Sequence, residues 1–305
     1  MLLAFLMCLR CLGVALADES SKGILYRVSG GKNEMLLLGS IHIGSPEMYP
    51  FSSTIMEAIE QADTLVFECD TESAEALQAT MRMMSYPMGD NIENHLSPET
   101  YQLLCDAVEG TEYTMGMVKA LKPWAVTSIF SMDTTAVEMG TEDVAEALEL
   151  GVENQIRLAA NEKKIAYLET TLEQLEMMDS FSPQLQDYMV YTACDLLLHP
   201  ENLTEADAAV RQWPQWWRDG NAEAFAESYY LEGNAEELYP ELMQEYHQKL
   251  NSQRNVRMAQ RIAQMLEEGE GQRYFVTIGL LHLVLPDDSV GSELEKLGYT
   301  VERVF

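Results

Sequence analysis

Short apolar runs crowd the two ends of this chain, and helical periodicity fills the space between them. Gly23–Val28 and Glu34–Gly39 are strand-like and flank Ser29-Gly30-Gly31-Lys32-Asn33, whose turn residues predict a hairpin. Gly44–Pro50 reads as a loop. Ile55, Met56, Ile59 and Ala62 recur on one side of a helix that Ser52 or Ser53 can cap and Asp63 closes. Thr64–Phe67 is another β-rich run and ends in Glu68. Strand, helix, strand in that order predicts a parallel pair joined by a right-handed crossover.

From about residue 72 to 160 the pattern is mainly helical. Ser97-Pro98-Glu99 starts one helix, with serine as cap and proline in the first turn, and Gly110 stops it. Lys122-Pro123-Trp124 opens another segment, and Gly151–Asn161 belongs to a further helix. Lys164–Leu168 returns to strand character and ends in Glu169; Thr171 to Gln174 has capping-box spacing for the helix that follows. Residues from about 180 to 245 are helical again, with Trp213, Trp216 and Trp217 spaced for packing on a helix face. The last unit reads as helix Ser252–Glu268, strand Arg273–Ile278, helix Ser289–Leu297 stopped by Gly298, and strand Tyr299–Val304. The predicted class is therefore mixed α/β. A mainly parallel central sheet comes from the N- and C-terminal parts, and a large helical insertion occupies about residues 72–245.

Composition narrows the function classes. A chain of 305 residues, 47% hydrophobic, can bury a substantial core. Fifty acidic against nineteen basic residues give a formal net charge of -31. That field repels nucleic acid and anionic lipid, so neither is expected as a partner. Met1–Leu16 is almost wholly apolar, and Ala15-Leu16-Ala17 supplies a small-x-small cleavage pattern. We expect residues 1–17 to be a signal peptide cut before Asp18, giving an exported mature domain of 18–305; an uncleaved N-terminal anchor is the alternative. Tyr274–Leu285, the longest other apolar run, is too short to span a bilayer. Cys69, Cys105 and Cys194 remain in the mature part, too few and too scattered for a disulfide framework, and read as small buried hydrophobes. The nineteen methionines read as gap-fillers.

Candidate chemistry sits at the strand ends. Five histidines occur in the chain, and two share one frame: Gly39-x-x-His42 and Gly279-x-x-His282, each just past an apolar run. If the strands run parallel, these two turns share one sheet edge with Glu68 and Glu169, and that edge is where open α/β sheets bind ligands. Two imidazoles and a carboxylate there would suit a divalent metal with an open position, able to lower the pKa of bound water. Glu169 reads more simply as a partner for the dipole of the following helix. His95, His199 and His247 lack evident partners and read as surface residues. Among Arg254, Arg257 and Arg261, Arg254 with Asn255 is best placed, at the start of the helix leading to the second Gly-x-x-His; it could hold a substrate carboxylate or an oxyanion.

In these residues the chain resembles the TraB/GumN family, which includes the Tiki proteins of animals. The likeness rests on Leu38-Gly39-Ser40-Ile41-His42, Leu65 to Asp70, Lys122-Pro123-Trp124, Gly151-Val152-Glu153 and Leu168-Glu169-Thr170 before Gln174. It continues through Arg254-Asn255-x-x-Met258, Phe275–His282 and Leu297 to Val301. The resemblance implies a fold like that of erythromycin-esterase-like and ChaN-like proteins. It also implies a metal-dependent hydrolase site of His42, Glu68 and His282, with manganese, cobalt or zinc as the ion and a peptide or small molecule as substrate. Glu68 would also take part in catalysis, with Arg254 beside it. Two departures stand out: Leu283-Val284-Leu285-Pro286 follows the second histidine, where the family usually has a glycine, and Glu153 stands where aspartate is common. A peptidase is the leading expectation. A non-catalytic binder of haem, iron or peptide on the same scaffold, and an ester hydrolase, stay open.

Overall fold

Alternation along the strands decides the layering. In the computed structural model, which describes residues 20–141, 143–160, 162–229 and 238–305, six strands form one sheet. They are β1 (Ile24–Ser29), β2 (Glu34–Ser40), β3 (Thr64–Phe67), β4 (Lys164–Tyr167), β5 (Arg273–Gly279) and β6 (Thr300–Arg303), in the order β4-β3-β5-β2-β1-β6. The β2/β5, β3/β5 and β3/β4 pairs are parallel, and β1 is antiparallel to both β2 and β6. The predicted hairpin is present; β2 and β3 run parallel as expected, but they do not pair with each other. β5, from the far end of the chain, lies between β2 and β3, so the sheet cannot form until both ends meet.

Period-two burial sends Leu38, Leu65, Phe67 and Phe275 to one face and Leu37, Val66, Val276 and Ile278 to the other. The first face is covered by the Ser53–Gln61 and Val152–Ala159 helices and by Trp217 and Phe225. The second is covered by the Gln253–Glu267 helix, through Met258, Ile262 and Leu266, and by Val290 and Leu294. Trp217 is fully buried and donates its indole N–H to the Gly39 carbonyl at 2.9 Å, so the tryptophans serve packing, as their spacing predicts.

The insertion has its own apolar clusters, one around Leu104, Phe130, Val190 and Cys194, and smaller ones around Trp124 and Phe181. Its helices start where serine and proline say they should: Ser97 accepts from the Thr100 N–H and Ser182 from the Leu185 N–H, each just before a proline. Cys69, Cys105 and Cys194 are free thiols, Cys69 and Cys194 buried. No helix among the described residues is long and apolar enough to cross a membrane. The expected signal peptide lies outside the described residues.

Two boundaries differ from expectation. The capping box is set by Thr170 and Glu173, one residue earlier than predicted, because Gln174 is turned away towards Glu68 and Glu169. Ser252 does not cap a helix. It lies in a π-helical turn, Gln248–Ser252, that joins the Pro240–His247 helix to the Gln253–Glu267 helix, and its hydroxyl donates to Asp288 at 2.5 Å.

Candidate active site

The two Gly-x-x-His turns leave adjacent strands. Ser40 pairs with Gly279 across β2 and β5, and the Leu280 N–H donates to the Ser40 carbonyl at 2.9 Å. Side chains fill the space at these glycines: a Cβ on Gly39 would displace Leu280 Cδ1, and one on Gly279 would lie 2.9 Å from Glu68 Oε1 and push that carboxylate aside. Beyond the shared start the turns part. After β5 the chain enters a short helix, Leu281–Val284, which draws His282 inward until it is buried. After β2 it enters a loop, and the His42 side chain stays 69% exposed.

The outer part of the site is the pair His42–Glu153. Glu153 Oε1 lies 2.8 Å from His42 Nδ1 and accepts from the Ser40 hydroxyl at 2.5 Å. Gly151 makes this pair possible. A Cβ there would lie 2.2 Å from the His42 carbonyl oxygen, and the Val152 N–H donates to the Ile41 carbonyl. Backbone therefore packs on backbone, and the first turn of the Val152–Ala159 helix carries Glu153 to the imidazole. The Glu153 carboxylate raises the His42 pKa above its ordinary 6.5. Burial alone would lift the Glu153 carboxyl, but His42 and Ser40 hold it below the usual range.

The inner part is a buried lattice around Arg254. Its Nη2 meets Glu68 Oε2 at 2.6 Å and Glu169 Oε2 at 2.9 Å. Its Nε donates to Glu169 Oε2 at 3.0 Å, and Nη1 donates to His282 Nε2 at 2.9 Å and to the Leu250 carbonyl at 3.4 Å. Gln174 Nε2 donates to both carboxylates, at 3.1 and 3.3 Å, and the Gly279 N–H closes on Glu68 Oε1 at 2.5 Å. Arginine can only donate, so His282 Nε2 accepts, and the ring's proton sits on Nδ1. That proton goes to Asn255 Oδ1 at 2.6 Å, and Asn255 is held in turn by Asp288. Burial, then the Arg254 charge, lowers the His282 pKa to about 4, so the ring is neutral. Burial opposes ionisation of Glu68, but Arg254 overcomes it and holds the carboxyl well below its usual range.

Of the residues expected from sequence, Arg254 touches both Glu68 and His282 and bridges them. His42 feels their charge, but among the described residues no hydrogen bond joins it to them. Glu169 is more than a helix-dipole partner: its side chain is 2% exposed and bonded to Arg254. All three guanidinium nitrogens of Arg254 face acceptors of the protein itself, so in this arrangement it positions its neighbours and offers nothing to a substrate. His247 is not a partnerless surface residue, since its Nδ1 meets the Tyr229 hydroxyl; His95 stacks on Tyr86 and bonds to Asp90. His199 lies beside Glu201 and is half exposed, as a surface residue should be. Of the departure after the second histidine, Leu283, Val284 and Leu285 are buried, Leu283 and Val284 in the cores on opposite faces of the sheet, and Pro286 is exposed.

The donor set tests the expected metal. Two imidazoles and a carboxylate are right in kind. But Glu68 Oε2 and His282 Nε2, the lone pairs an ion would take, already accept from one guanidinium. Among the described residues no three His, Cys, Asp or Glu side chains are grouped to hold an ion. As arranged, these residues do not fit a divalent cation.

Comparison with known proteins identifies the family. The chain is 23% identical over 253 residues to the uncharacterized protein YbaP of Escherichia coli (strain K12), covering 83% of this chain and 85% of that one. The YbaP of Shigella flexneri matches to the same extent. No solved structure matches. The model of the TraB/PrgY/gumN family matches residues 24–303, which take in all six strands, both Gly-x-x-His turns and the Arg254 lattice, and the chain belongs to that family.

Proposed function

We propose that the chain is an exported hydrolase that cleaves a peptide amide or a related ester. The observation that carries this is the exposed imidazole of His42, held by a carboxylate that keeps only 18% of its side chain in solvent, at the edge where the parallel strands end. Glu153 accepts the Nδ1 proton and fixes the ring's tautomer, which leaves Nε2 towards solvent. Once the ring is neutral, above its raised pKa of about 9, Nε2 can take a proton from an attacking water and pass it to the leaving group. The Arg254 lattice supplies a rigid wall beside it: Glu68 is locked to the Gly279 backbone, and His282 cannot turn. Export rests on the apolar leader with its small-x-small end. A metal-assisted form, with manganese, cobalt or zinc on His42, Glu68 and His282, requires Arg254 to let go of Glu68 Oε2 and His282 Nε2.

The test is turnover of fluorogenic peptide and ester libraries by the purified chain beside His42→Ala. The expected result is cleavage that falls by about 10²- to 10⁴-fold in the variant, the usual worth of a positioned acid–base group. Equal cleavage by the variant removes His42 from the mechanism. No cleavage in either library, together with a haem absorbance band on titration, replaces the hydrolase with a binding protein.

A further inference from the structure

We infer that Arg254 is a built-in cation standing where a divalent ion would otherwise bind, so that the site works without a metal. It rests on the hydrolase reading only where turnover is concerned, because ion binding is measured without substrate. Three observations support it. The guanidinium bridges Glu68 Oε2 and His282 Nε2, at 2.6 and 2.9 Å, which is the bridging role a metal plays between a carboxylate and an imidazole. Its orientation is over-determined: Nε and Nη2 are pinned by Glu169, and Nη1 also reaches the Leu250 carbonyl in the π-turn. The charges close as well. Glu68 and Glu169 face Arg254 at the centre and the half-exposed Arg257 at the rim, where its Nη2 lies 3.4 Å from Glu169. Adding a doubly charged ion to this set would place it against a buried guanidinium, and the repulsion is unscreened there.

The inference makes a gain-of-function prediction. Removing the guanidinium leaves two buried carboxylates and a neutral imidazole whose lone pair is free, a set that attracts a divalent cation. Arg254→Met strips out the charge; Arg254→Met with Glu169→Gln does so while leaving only one carboxylate to compensate, which protects folding. The full chain and both variants are titrated with cobalt(II), manganese(II) and zinc(II), and bound ion is counted by elemental analysis after dialysis. Cobalt absorption bands report the ligand set. The expected result is no stoichiometric ion in the wild type and one equivalent in a variant, lost again on adding His282→Ala. One equivalent in the wild type, lost with His282→Ala, overturns the inference. A variant that folds, by circular dichroism, yet binds nothing also overturns it, because Arg254 then stands in no ion's place. If neither variant folds, the wild-type titration decides alone. If turnover is found, chelator leaves it unchanged; if none is found, the hydrolase reading fails and the titration still judges Arg254.

Discussion

The sheet half and the helical half of this molecule bury polar groups on different terms. In the sheet half, Arg254, Glu68 and Glu169 are all close to fully buried and bonded to one another. In the helical half, the corresponding ion pair is Lys122 with Asp179, at 2.7 Å, and both partners keep 18% and 34% of their side chains in solvent. Desolvating charge is costly, and attraction in the interior recovers the cost only when every partner is in place. A buried lattice is therefore a poor way to gain stability and a good way to hold side chains still. Its position where four parallel strands end, between the apolar cores on the two faces, points to function as the reason it is kept.

The largest effect tests that contrast directly. Arg254→Met should lower unfolding free energy by about 3–5 kcal/mol, because two carboxylates stay buried with their main partner gone. Lys122→Met should cost about 1 kcal/mol or less, since Asp179 keeps the Trp124 indole N–H at 3.1 Å and 34% of its side chain is open to solvent. Urea denaturation of both variants gives the comparison. Equal losses would mean that the sheet-half lattice is not dry.

Glycines give the next effect. Gly151→Ala pushes a methyl group to within 2.2 Å of the His42 carbonyl, where neither side can yield cheaply. We expect about 1–3 kcal/mol of destabilisation, the usual cost of overpacking, and loss of the His42–Glu153 bond with it. Gly110, which ends the Pro98–Glu109 helix, has φ -90° and meets nothing closer than 3.6 Å. Gly110→Ala should stabilise by about 0.4–1 kcal/mol, through the unfolded chain. Thermal melts of the two variants should move in opposite directions.

The same contrast explains what could be read from the chain alone. Strands, their parallel course, the two Gly-x-x-His turns and Glu68 were legible because each depends on residues close together in sequence. Gln174 and Asn255 stood in recognisable motifs, although their bonds did not. Glu169 was misread because its partner Arg254 is 85 residues away and nothing local to Glu169 announces a buried charge. Asp288 gave no signal at all; it matters only because Asn255 turns towards it. Ser252 has a cap's chemistry, and only the π-turn shows that the helix has already begun. His247 was misplaced for the same reason as Glu169, since Tyr229 comes from another helix. Patterns reveal where a side chain points along its own element, whereas a lattice is made of contacts between elements.

The smallest effect lies in the one exposed member of the site. His42 has its pKa raised by the Glu153 carboxylate at 2.8 Å. An imidazole beside a carboxylate holds its proton to higher pH, so nitrogen-detected NMR titration should place His42 above 6.5, the value of a free ring. Glu153→Gln removes the charge but keeps an acceptor for Nδ1–H, and the midpoint should fall back towards 6.5. His282 serves as the internal control. Burial and Arg254, not Glu153, set its pKa near 4, so the same substitution should leave it unmoved. A shift of both rings together would mean that the outer pair and the inner lattice titrate as one system. A shift of His42 alone means that the lattice holds its charges whatever happens at the rim, as the positioning role proposed for it requires.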